Sequence, residues 1–277
     1  MPETGLVTTA VGPLMAGRKG LVLGVANERS LAWGVARAVA AHGAQLAFTY
    51  QGDALRKRVG PLAERTGSNI VLPCDVAEDG ALDATVDQAA ERLGGLDFLV
   101  HAIAFSDKTE LTGKYVETTR DNFLRTLDIS CYSLTEATRA AMRHMGPGGS
   151  ILTLTYIGAE RVVPHYNVMG VAKAALEASV RYLAADLGGV QVRVNAISAG
   201  PMRTLAASGI GDFRYILKWN EYNSPLKRNT DLDDIGGAAL FLLSDLGRGT
   251  TGEVMHVDSG YHVVGMKAVD APDIAAV

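Results

Sequence analysis

The sequence predicts a single α/β domain in which a parallel sheet is covered by helices on both faces. Three observations carry that expectation. Seven short apolar runs lie between about Gly20 and Gly260, each separated from the next by a longer stretch. The runs are near-continuously apolar, as strands buried on both faces are, and most of the intervening stretches have helical spacing. No linker rich in proline, glycine or serine divides the 277 residues, and no repeat is visible. One domain is therefore expected.

Taken in order, residues 21–25 (LVLGV) read as the first strand and residues 30–41 as the helix after it. Residues 45–50 (QLAFTY) form the second strand, and Asp53 opens the second helix. The remaining strands are expected at 70–72, 96–100, 150–154, 192–196 and 253–257, with helices around 79–93, 119–143, 165–187 and 231–243. Right-handed crossovers turn this alternation into a doubly wound, Rossmann-like domain with a seven-stranded sheet. Its chemistry belongs just beyond the carboxyl ends of the strands. The longest strand-free stretch there, 198–230, has the length of a functional loop or lid. The domain is placed at 17–264, with a loosely held extension at 1–16 and a tail at 265–277.

Composition narrows the function. With 26 basic and 30 acidic residues the formal charge is −4, which argues against nonspecific nucleic-acid binding. Cys74 and Cys131 are far apart and lack metal-ligand spacing, so both are expected to be buried and reduced, with no metal. No apolar run approaches the ~20 residues that span a bilayer. The N-terminus carries an early Glu3 and no basic start, so it does not read as a secretory signal and the cytoplasm is the expected address.

After the first strand, a turn containing Gly24 leads to Ser30 and Leu31 at a helix N-terminus. Such a turn offers free backbone N–H groups and a positive dipole end to a pyrophosphate. Gly24 permits the turn, Gly34 lets helix approach strand, and Ser30 can cap the helix or donate to phosphate. The second strand ends at Gln51, which suits a ribose 2′-hydroxyl and offers no charge for a 2′-phosphate; NADH is thus favoured over NADPH, although Arg56 and Lys57 come soon after. Asp75, after the third strand, suits an adenine amino group, or a cap for the next helix. Residues 101–104 have small side chains at 102 and 104, as backbone passing close beside a cofactor requires.

Tyr166 and Lys173 are seven residues apart at the start of a helical pattern. That separation is nearly two turns, so the two side chains should face the same way, ~10 Å apart along the axis. An ordinary amphipathic helix with an aromatic at its start and a lysine on its rim fits the same spacing.

With Tyr156 ten positions before Tyr166, the segment resembles the Y-x9-Y-x6-K pattern of bacterial enoyl-acyl-carrier-protein reductases, a divergent branch of the short-chain dehydrogenases. Phe48-Thr49-Tyr50-Gln51, Tyr166-Asn167-Val168-Met169-Gly170 and Ala196-Ile197-Ser198-Ala199-Gly200-Pro201 match that family. So do Arg203-Thr204-Leu205-Ala206-Ala207-Ser208-Gly209 and Gly252-Glu253-Val254-Met255-His256-Val257-Asp258, and the likeness runs from about residue 18 to 262. No tyrosine here has a lysine four residues later, the commoner spacing of short-chain dehydrogenases. Moving the phenol a turn back leaves room for a substrate's β-carbon at the hydride donor and its carbonyl oxygen at the phenol.

The resemblance implies reduction of the trans-2 double bond of an enoyl thioester on acyl carrier protein by NADH, in fatty acid elongation. It assigns Tyr166 to the thioester oxygen and Lys173 to the nicotinamide ribose, with Tyr156 lining the acyl channel or placing the thioester. It implies NADH contacts at Gly24, Ser30, Leu31, Gln51, Asp75, Val76, Ile103, Lys173, Met202, Arg203, Thr204, Leu205 and Ala206. Substrate contacts are implied at Ser106, Tyr156, Tyr166, Ala206, Ala207 and Ile210, and the assembly at a homotetramer joined through long helices and the last strand. Arg214, Lys218, Lys227 and Arg228 form a basic cluster near the 198–230 segment that suits an acidic carrier protein. Two departures, Ala104 where relatives often have glycine and Ser106-Asp107-Lys108, bear on inhibitor sensitivity and chain-length preference. A ketone or 3-oxoacyl reductase on the same scaffold, and a non-enzymatic NAD-binding regulator, are the competing readings.

Overall fold

The computed structural model describes residues 12–205 and 211–274. The chain runs β1 (Lys19–Leu23), α1 (Leu31–Ala41), β2 (Gln45–Tyr50), α2 (Gly52–Arg65), β3 (Val71–Pro73), α3 (Ala81–Leu93) and β4 (Phe98–His101). A short α4 (Lys108–Leu111) precedes α5 (Arg120–Leu127) and α6 (Ser133–Ala141). Then come β5 (Ser150–Thr155), α7 (Asn167–Gly188), β6 (Arg193–Ala199), α8 (Phe213–Asn223), α9 (Leu232–Leu243) and β7 (Val254–Val257). All seven strands pair in parallel in the order β3-β2-β1-β4-β5-β6-β7. The order reverses between β1 and β4, and such a switch point opens a crevice beyond the strand ends.

The apolar strand residues divide between the two faces. Leu21, Leu23, Leu99 and Ile151 pack under α3, α6 and α7 on one side. Val22, Phe48, Val100, Leu152 and Ile197 pack under α1 and α9 on the other. A third apolar cluster belongs to neither face. Leu111, Ile157, Val163, Tyr166, Met169 and Ile216 gather it from α4, the segment after β5, α7 and α8.

Five expectations change. Of the extension, the described residues 12–16 are docked: Met15 is fully buried and its N–H donates to His42 O at 2.9 Å. The helix expected at 119–143 is broken by a π-turn, Asp128–Tyr132. There the Ser130 hydroxyl accepts from Phe105 N at 2.9 Å and donates to Phe105 O at 3.0 Å, which fixes the segment after β4. Side-chain periodicity does not register the one extra residue of a π-turn. The 198–230 stretch is not a plain loop, because it contains α8, whose Ile216 and Leu217 are buried. Gly34 serves helix against helix, not helix against strand: an added Cβ would lie 2.8 Å from Leu232 O at the start of α9. Finally, Cys74 is buried, whereas Cys131 is only half-buried, its Sγ 3.5 Å from Ser179 Oγ.

Candidate functional site

The site is assembled from the segments that leave the carboxyl ends of the strands. Gly24 comes directly after β1 and turns the chain at φ +95°, where an added Cβ would sit 2.1 Å from Ala102 O. Only glycine tolerates that φ without strain, and nothing larger fits the gap. Ser30 occupies the position before α1 but makes no side-chain cap. Its Oγ instead accepts from Ala26 N at 3.0 Å and Asn27 N at 3.1 Å, closing the glycine turn. Among the described residues the hydroxyl proton has no acceptor, and Ser30 leaves the helix N-terminus without a side-chain cap. That arrangement of donors at a helix N-terminus suits a pyrophosphate, and Leu31 is the first helical residue.

Gln51 and Asp75, at the ends of β2 and β3, are brought together: Gln51 Nε2 donates to Asp75 Oδ2 at 2.7 Å. Asp75 Oδ1 accepts from Ala77 N at 3.0 Å, and the position before α3 is Gly80, so Asp75 is a turn residue and not a helix cap. Val76 packs on the adjoining core, as does Ile103 after β4. The Arg56 guanidinium lies 5.9 Å from the Tyr50 ring centroid, over the ring and not on an empty face. Ser106 sits in a hydrogen-bonded group with α5, its Oγ accepting from Thr126 Oγ1 at 3.0 Å and Asn122 Nδ2 at 3.3 Å.

The phenols meet above β5. Tyr156 is the residue directly after the strand, and Tyr166 stands at the residue before α7 instead of inside the helix. Their rings are 5.1 Å apart at 72°, edge to face. Tyr166 is only 7% exposed. Burial first, then Tyr156 and Glu177, pushes its pKa well above the ordinary phenol range. It is therefore a proton-bearing donor at any physiological pH. Tyr156 is shifted the same way, by burial and then by Tyr261 and Asp258, and its buried hydroxyl has no hydrogen-bond partner among the described residues. A polar atom left so in an apolar site calls for a ligand.

Lys173 is buried on α7 and its Nζ donates to Leu154 O at 2.8 Å. Burial lowers its pKa to about 8, against the raising influence of Cys131 and Glu177. Met202, Arg203, Thr204 and Leu205 come after β6. Met202 and Arg203 line a pocket of about 570 Å³ with Arg29, Arg214, Lys218 and Leu232. That pocket borders the glycine turn through Arg29 and does not include either phenol or Lys173. Ala206, Ala207 and Ile210 lie outside the described residues. Of the basic cluster, Arg228 is held by Asp234 through contacts of 2.5 and 2.8 Å, and Lys227 donates to Tyr222 O at 2.8 Å. Arg214 and Lys218 remain at the pocket.

Several residues that position the phenols carry no clear mark in the sequence. Gly158 lies against Tyr166, where an added Cβ would be 2.3 Å from its Cδ1. Asn167, at φ 38°, places its Nδ2 within 3.2 Å of the Glu110, Leu111 and Gly113 carbonyls, tying α4 to the start of α7. An asparagine right after the tyrosine is the only signal, since asparagine tolerates positive φ better than most residues.

The donors at the α1 terminus, the glycine at Gly24 and the unpartnered Tyr156 hydroxyl fit a dinucleotide beside a second ligand. Comparison with known proteins points the same way. A family model described as enoyl-(acyl carrier protein) reductase matches residues 24–262. A Rhizobium meliloti protein named enoyl-acyl-carrier-protein reductase (NADH) 1 is 66% identical over 262 residues, covering 95% of this chain and 96% of its own length. A Bacillus cereus protein with the same activity name is 52% identical, covering 91% of this chain and 99% of its own. Among solved structures, the Anaplasma phagocytophilum enoyl-(acyl-carrier-protein) reductase in complex with NAD superposes with a TM-score of 0.90 at 63% identity, covering 95% of this chain and 98% of that one.

Proposed function

This chain belongs to the family of NADH-dependent enoyl-acyl-carrier-protein reductases, and we propose how its own residues carry out the reduction. The reaction is saturation of the trans-2 double bond of an enoyl thioester on acyl carrier protein, with NADH as cofactor. The observation that carries the residue assignment is the edge-to-face pair of Tyr156 and buried Tyr166, together with the buried Lys173 of α7, whose Nζ donates to Leu154 O near the end of β5.

NADH, when bound, supplies the hydride that reaches C3 of the enoyl group. Ser30, Leu31 and the Gly24 turn hold the pyrophosphate end, while Gln51, Asp75 and Val76 face the adenosine. Ile103 and the segment Met202, Arg203, Thr204, Leu205 and Ala206 lie along the nicotinamide side. Negative charge then develops on the thioester oxygen, and Tyr166 donates a hydrogen bond or its proton to that oxygen. The high pKa of a buried phenol keeps the proton in place until that charge appears. Lys173 binds the ribose hydroxyls, and its charge favours the developing anion. Tyr156, whose hydroxyl lacks a partner among the described residues, orients the thioester. The third apolar cluster, around Ile157, Met169 and Ile216, offers the acyl chain a wall outside the core of the sheet. Ser106, Ala206, Ala207 and Ile210 complete the substrate contacts in this proposal.

The test is NADH consumption with crotonyl thioester and with 3-oxoacyl thioesters. Turnover is expected on the enoyl substrate, with at least about 100-fold less on the 3-oxo ones. The reverse preference would make the protein a ketone reductase.

We further propose a homotetramer and a cytoplasmic site of action. Two features support the assembly. The edge strand β7 is half-exposed along its length, and Tyr182 on α7 is 76% exposed. Exposed sheet edges are usually covered, and an exposed aromatic suits such a contact. Sedimentation should give about four times the mass of the 29.2 kDa chain. A monomer at micromolar concentration contradicts the assembly. Among the described residues no helix is long and apolar enough to cross a membrane.

A further inference from the structure

Glu177 is a buried carboxylate that the mechanism above does not use. It is 6% exposed and lies four residues after Lys173 on α7, hence on the same helix face and ~6 Å further along. Its Oε1 accepts from Thr155 Oγ1 at 2.7 Å. Lys173 Nζ donates to Leu154 O, the residue before Thr155, at 2.8 Å. Two successive residues of β5 thus bond two successive turns of α7, and Tyr156 is the next residue of the chain. Burying a carboxylate costs several kcal/mol unless something needs its charge. If tying strand to helix were the whole purpose, a neutral amide would serve.

We propose that Glu177 is a positioning residue for the reduction: with Thr155 it forms the second rung of a clamp between β5 and α7, and its charge, one helical turn from Lys173, favours the protonated lysine. This rests on the reading of Lys173 as the cation beside the cofactor ribose. The groups that bear on the pair come from every neighbouring element. Around Lys173 they are His101 at the end of β4, Cys131 in the π-turn and Glu177 itself. Around Glu177 they are Thr155, Glu160, His256 of β7 and Arg181, with the Tyr166 phenol also within its influence. Glu160 in turn contacts His256 Nε2 at 2.9 Å. Burial raises the Glu177 pKa, the Thr155 hydrogen bond lowers it, Glu160 raises it, and His256 and Arg181 lower it.

Ionised Glu177 keeps Lys173 protonated to higher pH. Removing the charge, or removing the hydroxyl that favours the charge, makes Lys173 lose its proton earlier. The experiment uses the full chain with NADH and crotonyl thioester. It measures kcat/KM from about pH 6 to about pH 9.5, together with NADH affinity by fluorescence at about pH 6.5 and about pH 8.5, on either side of the lysine titration. Wild type should lose activity above about pH 8, where Lys173 titrates. Glu177→Gln keeps an acceptor for Thr155 but no charge. Its alkaline limb should move down by about half a unit or more, with kcat at about pH 6.5 within about threefold of wild type. NADH affinity on the alkaline side should weaken by about the same factor as kcat/KM.

Thr155→Val should shift the limb in the same direction, and Thr155→Ser should restore it. The threonine variants decide the matter should Glu177→Gln fail to fold. Superimposable pH profiles for wild type and the folded variants overturn the clamp. Lys173→Met separates this proposal from the reading beneath it. Unchanged NADH affinity in that variant removes Lys173 from the cofactor site altogether. Lost affinity there, with no shift in Glu177→Gln or Thr155→Val, removes only the role of Glu177.

Discussion

The Tyr166 ring is held by what its neighbours lack. Gly158 presents no side chain to it, Tyr156 meets it edge to face, and Ile157 and Met169 complete the wall. Gly158→Ala would place a methyl 2.3 Å from Cδ1, so the ring must move. Overpacking of this kind costs ~1–3 kcal/mol. The predicted outcome is a folded protein with kcat reduced about tenfold or more and NADH affinity nearly unchanged. Steady-state kinetics checked by circular dichroism reads this directly, and wild-type turnover would show that the ring position does not matter. Tyr166 and Lys173 are legible in the sequence through their spacing and the family pattern, although only Lys173 lies well inside α7: Tyr166 precedes the helix, and Asn167, at φ 38°, turns the chain between them. Gly158, Thr155 and Glu177 are not. Their roles depend on contacts between β5, the segment after it and α7, and no local spacing encodes those. Ser30 is legible as a residue but not as a geometry, because a hydroxyl before a helix can turn either forward to the helix or back to the loop.

At the scale of elements, α8 and the π-turn are the features that periodicity misses. The stretch 198–230 shows no strand pattern, yet α8 packs Phe213 and Ile216 against the third apolar cluster and stacks Trp219 edge-on to Tyr261 at 5.2 Å. It is an ordered cover as well as a connection. Its Arg214 and Lys218 are the two members of the basic cluster not tied to Asp234 or Tyr222. If they meet the acidic carrier protein, Arg214→Glu should raise KM for an acyl-carrier-protein substrate by about tenfold. It should leave KM for a small crotonyl thioester within about twofold. Equal effects on both substrates would place Arg214 in the pocket for the small ligand instead. The strands themselves differ from expectation by only a few residues at their ends, since a run of buried apolar residues marks a strand but not where its hydrogen bonding stops.

For the whole molecule, the parallel sheet and its doubly wound form come from alternation and handedness alone. The location of chemistry at the strand ends comes from the same rule. What the alternation does not contain is the choice between reducing a carbon–carbon bond and reducing a ketone. That distinction lies in the six residues between Tyr166 and Lys173, seen against the family pattern. In the proposed reduction the Tyr166 hydroxyl stabilises the charge that develops on the thioester oxygen. The most direct test is steady-state reduction of an enoyl thioester by Tyr166→Phe, with NADH affinity measured alongside. The predicted result is a kcat at least about 100-fold lower with unchanged NADH affinity. A phenylalanine variant that turns over at the wild-type rate would contradict it.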